Sequence, residues 1–115
     1  MAAIDDLETI LRLIERVEQT VGRETAESFR TSDDAIDAVA YRLAMIGEHC
    51  KRLPPEMRER WPQLPWQAMI GLRNIVAHSY DTVSPAIVWR TASQDLILIR
   101  DMALAERDRL TNGAA

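Results

Sequence analysis

The chain has 115 residues, the length of one ordinary domain, and at this size roughly two thirds of the unfolded surface is buried on folding. Hydrophobic residues make up 47% and charged residues 28%, with 4 Gly and 5 Pro, which excludes disordered, collagenous and low-complexity classes; 5% aromatics beside abundant Ala, Leu, Ile, Arg and Glu favours helices over sheets. Fourteen cations against 18 carboxylates leave a formal charge of −4, a balance that counts against broad electrostatic capture of nucleic acid or of an anionic membrane.

Ile4, Leu7, Leu11, Ile14 and Val21, with Val17 widening the stripe, predict an amphipathic helix that ends near Gly22. Residues 23–30 read as a connection, with a helical turn that docks Phe29 on the core. Thr31 stands three residues before Asp34 with capping-box spacing, and Ile36, Val39, Leu43, Ile46, Cys50 and Leu53 then predict a second long helix. Pro54 and Pro55 stop it, and a short helix is expected over residues 56–61 before Pro62. Pro65 restarts the chain, residues 66–78 predict a third helix, and Ser84 followed by Pro85 caps a fourth with the stripe Val88, Ala92, Leu96, Ile99 and Ala103. The expected fold is all-α, an up-and-down bundle of four main helices plus a short connecting helix, forming a single domain over residues 1–110 with a tail at 111–115.

Cys50 is the only cysteine, so no intramolecular disulfide and no Cys/His zinc array can form. Asp5 and Asp6 stand where a signal peptide would carry cations, and no apolar run approaches membrane-spanning length, so a cytoplasmic protein with no membrane association is expected. A Glu-x-x-His pairing and a Gly-rich loop are both lacking from the sequence, so no metal and no cofactor are expected.

Chemistry concentrates in residues 73–80. On a helix of about 100° per residue, Ala68, Met69, Leu72, Ile75 and Val76 share the arc that should face the core. On the other side Asn74 and His78 stack one turn apart, Arg73 and Tyr80 nearly coincide, and Trp66, Ile70 and Ala77 form an apolar strip between the two polar groups, facing away from the core. A homodimer seam is the simplest occupant of such a strip. His78 can exchange a proton near neutral pH, Arg73 is a planar cation suited to phosphate, and Asn74 can orient an imidazole. Together they suit phosphodiester cleavage in RNA, where a base frees the 2′-hydroxyl to attack phosphorus and a guanidinium stabilises the phosphoryl oxygens without a metal. A histidine and an arginine that merely finish a helix end are the structural alternative.

The order Arg73-Asn74-x-x-x-His78-x-Tyr80 resembles the signature of the HEPN superfamily. Gly47-Glu48, Pro65-Trp66 and Val88-Trp89, in their places along the helices, resemble the HepT toxins of type VII-like HepT/MntA toxin-antitoxin systems, over residues 4–102. The resemblance implies a dimer whose two Arg-Asn-x-x-x-His segments meet in a cleft and act as a metal-independent endoribonuclease, with His78 as general acid or base, Arg73 on the scissile phosphate and Asn74 holding their geometry. It also implies a cognate MntA-like nucleotidyltransferase antitoxin that transfers AMP to Tyr80. Glu48 is the best carboxylate candidate for orienting Arg73 across the bundle, with a plain surface glutamate as the alternative reading. The second reading is a non-catalytic helical dimerisation module that binds a nucleotidyltransferase partner.

His49 and Asp81 depart from the family pattern. His49 is expected to pack at the edge of its helix, and Cys50 to lie in the core. Trp61 and Trp89 read as bulky anchors, whereas Trp66 keeps a possible role at the cleft. The charge is uneven: residues 41–80 carry six cations against Glu48, Glu56 and Glu59, and thirteen of the fourteen cations are arginine. A focused RNA cleft is therefore compatible with an acidic total.

Overall fold

The bundle is organised around one central helix. In a computed structural model, which describes residues 2–78 and 84–113, with side-chain detail for all of these but 2, 72 and 74–78, the elements run α1 (Ala2–Val21), α2 (Ala26–Arg30), α3 (Asp33–Lys51), α4 (Pro55–Glu59), α5 (Trp66–His78), α6 (Pro85–Arg90), a π-helical turn (Thr91–Asp95) and α7 (Leu96–Thr111). Helix α3 packs against α1 on one side and α5 on the other, and α7 closes the bundle against α1. The molecule measures 46 × 27 × 23 Å, and α1, at 20 residues, is about 30 Å long. No strand occurs among the described residues, and none of their helices is long and apolar enough to cross a membrane.

Local chemistry sets the boundaries. Pro55 opens α4 and Pro85 opens α6, each at a first-turn position where its missing N–H costs nothing, and the Ser84 side chain accepts from the Ile87 amide. The helical turn expected near Phe29 is α2, capped reciprocally: the Thr25 amide donates to Ser28 Oγ at 2.8 Å and the Ser28 amide to Thr25 Oγ1 at 3.0 Å. Thr31 does not cap α3. It terminates α2, and Ser32 accepts from the Ala35 amide instead, because the chain needs Thr31 to complete the preceding turn. The short helix α4 starts one residue earlier than expected and stops at Glu59.

The core joins Leu7, Ile10, Ile14 and Val17 of α1 to Val39, Leu43, Ile46 and Cys50 of α3, Met69 of α5, and Leu96, Ile99 and Met102 of α7. Ile10 is fully buried, whereas Ile4 and Leu11 lie at the edge, so the apolar stripe of α1 is centred one residue from the expected line. Ala68 is exposed instead of core-facing, since α5 meets α3 through Met69, about 100° further round the helix. Phe29 is wholly buried with its ring 5.2 Å from that of Trp89. Polar ties complete the layering: Arg42 donates to Thr20 Oγ1 at 2.9 Å, and Arg100 of α7 pairs with Glu18 of α1.

Candidate active site

The site is built where α3 and α5 touch. Gly47 lies at that contact, and a Cβ there would collide with the Met69 backbone carbonyl oxygen and crowd its carbonyl carbon. Only a residue without a side chain permits this approach, which gives Gly47-Glu48 a physical role. Gly47→Ala is expected to lower stability by about 1–3 kcal/mol, as overpacking in a filled core does; urea denaturation measures it, and an unchanged midpoint would mean that the helices separate without cost.

One residue on, Glu48 reaches across to α5. Its Oε2 lies 3.1 Å from Arg73 Nε, with Arg73 about half exposed and Glu48 at 28%. An ion pair this exposed contributes about 0–1 kcal/mol to folding, so its main effect is to fix the guanidinium. Contact at Nε leaves the terminal nitrogens of the fork for a phosphate. Helix α5 continues through His78, which puts Asn74 and His78 one turn apart along its backbone; their side chains, and that of Ala77, fall outside the description. Tyr80 lies outside the described residues. Of the expected site residues, the structure therefore brings Arg73 and Glu48 into contact and carries Asn74 and His78 on the same helix as Arg73.

The apolar strip needs correction at Trp66. Its indole is half-buried against the core and donates from Nε1 to the Trp61 carbonyl at 2.8 Å, so it does not face wholly outward. One part of the ring lines a shallow surface depression with Pro55, Arg58 and Glu59. Ile70 is half-buried.

His49 is bound to α1. Its Nδ1 lies 2.7 Å from Asp6 Oδ1, with Arg52 at 3.8 Å from the same carboxylate oxygen. Cys50 is fully buried, and burial, reinforced by the charge of Asp6 and opposed by Arg58, pushes its thiol up to about 12, which leaves it unreactive. Among the described residues, no three His, Cys, Asp or Glu side chains converge as metal ligands would.

A polar centre not anticipated from the sequence supports the start of α5. Glu106 of α7 is 2% exposed and accepts from Arg60 Nε at 3.1 Å, Arg60 Nη2 at 2.6 Å and Trp61 Nε1 at 2.8 Å. Trp61 in turn holds Trp66, the first residue of α5, so the helix carrying Arg73 and His78 is anchored at its origin to α7. The signal was present: Glu106 follows Ile99 and Ala103 at helical spacing on an apolar stripe, where a lone carboxylate requires partners.

The family model for ribonuclease HepT-like proteins matches residues 10–105. A protein of Methanocaldococcus jannaschii named as a gamma-glutamylcyclotransferase and candidate RNase is 32% identical over 104 residues, covering 90% of this chain but 47% of the relative, so the chain spans about half of that protein. A "Probable ribonuclease HepT" of Thermococcus cleftensis is 30% identical over 92 residues, 80% of this chain and 84% of the relative. A candidate RNase of Caldanaerobacter subterraneus subsp. tengcongensis is 32% identical over 90 residues, 78% of this chain and 80% of the relative. No solved structure matches the chain. With the helical bundle, the Gly47 contact and the Arg73 segment all inside the matched region, the chain belongs to the ribonuclease HepT-like family of the HEPN superfamily.

Proposed function

We propose that the chain is a metal-independent endoribonuclease, the toxin of a type VII-like HepT/MntA system, acting as a homodimer whose two α5 segments face one another. The observation that carries this reading is the Glu48–Arg73 pair at 3.1 Å, which holds a guanidinium on the helix that continues to His78, in a chain of a ribonuclease family. His78 takes the proton of a ribose 2′-hydroxyl, the 2′-oxygen bonds to phosphorus, and the 5′-oxygen leaves with a proton returned by an imidazolium. The products are a 2′,3′-cyclic phosphate and a free 5′-hydroxyl. Arg73 stabilises the charge that gathers on the phosphoryl oxygens, and Asn74 keeps the imidazole in register. A nucleotidyltransferase partner that transfers AMP to Tyr80 would place bulk and negative charge against this segment and close it to RNA.

The test is incubation of the purified protein with RNA in excess chelator, followed by end-group analysis. Cleavage with cyclic or 3′-phosphate ends is expected. Loss of cleavage on chelation, or 5′-phosphate products, would overturn the mechanism.

A further inference from the structure

A second feature of the surface bears on which RNA is held. Between α2 and α6 lies a cleft of about 500 Å³ lined by Ala26, Glu27, Arg30, Pro85, Ala86 and Trp89, within the roughly 300–1,000 Å³ of small-molecule sites. Its lining includes the half-buried indole of Trp89, whose ring centroid lies 5.2 Å from that of the fully buried Phe29, the two rings tilted by 48°. Such a flat, braced aromatic surface loses little on stacking with a planar ligand. Pro85 and Ala86, on the same wall, add apolar contact and no competing charge.

Two ionic side chains complete the lining. Glu27 and Arg30 stand three residues apart on α2, both exposed, and neither enters an ion pair among the described residues. One carboxylate and one guanidinium make the cleft electrically neutral, unlike the cationic channels that take up nucleic-acid backbone without selection. A suitable occupant must therefore combine a planar ring, hydrogen-bond donors for a carboxylate and an anion for a guanidinium. A nucleotide supplies all three. Among the four bases, guanine alone presents two adjacent donors, N1–H and the N2 amino group, to an acceptor that cannot itself donate. Cytosine and adenine offer an amino group beside an acceptor nitrogen that would oppose the carboxylate, and uracil offers a single N–H between two carbonyls.

We propose that this cleft binds one guanosine nucleotide of a single-stranded RNA, its base stacked on Trp89, its donor edge on Glu27 and its phosphate on Arg30. The inference rests on RNA being the ligand of this chain. Along the chain, α6 begins seven residues after His78, the last residue of α5. Stacking on aromatic side chains with readout of an exposed base edge is the general way single-stranded RNA is recognised in sequence.

The experiment measures binding in the His78→Ala background, so that RNA remains uncut. Fluorescence anisotropy compares a labelled single-stranded oligonucleotide carrying one guanosine in a uridine tract with the same tract carrying cytidine there, and GMP and CMP serve as free competitors. The guanosine oligonucleotide is expected to bind about tenfold more tightly, the gain from a charge-assisted hydrogen bond. Glu27→Gln should remove that preference, and Arg30→Gln should weaken binding of both oligonucleotides. Both residues are exposed, so these variants fold. Equal affinity for the two oligonucleotides, or an unaltered preference in Glu27→Gln, would overturn the subsite. Competition by GMP but not CMP supports it with a free nucleotide, and equal competition by both counts against it. A wild type that binds with this preference yet cuts no RNA would end the ribonuclease reading and leave the subsite standing; cleavage without the preference would do the reverse.

Discussion

Alanine at position 78 is expected to slow RNA cleavage by a factor of about 10² to 10⁴, the usual contribution of a general acid or base, with no change in helical circular dichroism. Arg73→Ala should fall in the same range under the proposed mechanism, in which the guanidinium stabilises transition-state charge. Glu48→Gln separates positioning from packing. The Glu48–Arg73 pair is exposed enough to contribute only about 0–1 kcal/mol to folding. A fall in kcat with unchanged KM and melting midpoint would therefore report lost alignment of Arg73, whereas a parallel loss of stability would assign Glu48 a structural role. Cleavage that persists in His78→Ala would remove this histidine from the chemistry.

The second large effect concerns Glu106. Glu106→Ala removes the acceptor shared by Arg60 and Trp61 and is expected to lower stability by about 3 kcal/mol, the lower end for breaking a buried charged pair, since Arg60 can turn to water. The pH dependence follows from the carboxyl itself. Burial pushes its pKa up, but hydrogen bonds from Arg60 and Trp61, with the charges of Arg60 and Arg109, outweigh burial and hold it below the ordinary glutamate value. A carboxyl whose native pKa is depressed stabilises the fold above its unfolded pKa of about 4.3 and loses that contribution as pH falls through the native value. Wild type and Glu106→Ala should thus differ most at neutral pH and converge in acid. Urea midpoints taken from pH 7 downward measure this, and a constant gap would show that the ionised pair is not what stabilises α7.

The helical organisation was legible because proline and apolar spacing mark it plainly. The span of α5 was read from Pro65 at one end and the run to His78 at the other, and Ser84-Pro85 located α6. Cap assignment at Thr31 failed because Thr31 and Ser32 both offer a hydroxyl, and only the closure of α2 decides between them. Ile10 was missing from the expected stripe and Ala68 was misplaced for a related reason: a stripe fixes a face to within about one residue, while the neighbouring helix selects the line of contact. In the site, Glu48 and Arg73 were each visible as charges. Their meeting depends on the backbone approach at Gly47, which no single-helix pattern contains. Trp89, read as an anchor, proves to be half of one: its ring rests on Phe29 and also lines the α2–α6 cleft.

The π-helical turn at Thr91–Asp95 has a consequence for how these two regions are phased. Relative to a continuous α-helix, such a turn accommodates one additional residue, and one residue corresponds to about 100° of rotation. Val88 and Ala92 before and within it and Leu96 and Ile99 after it are all buried, at intervals of four, four and three. The wider turn absorbs the drift that two successive fours would otherwise accumulate. Pro85–Arg90 can therefore keep its own azimuth, with Trp89 lining the cleft, while Leu96–Thr111 turns Glu106 inward to Arg60. In this bundle a single inserted residue works as a rotational coupling, letting one end of a helix be shaped by a surface and the other by the core.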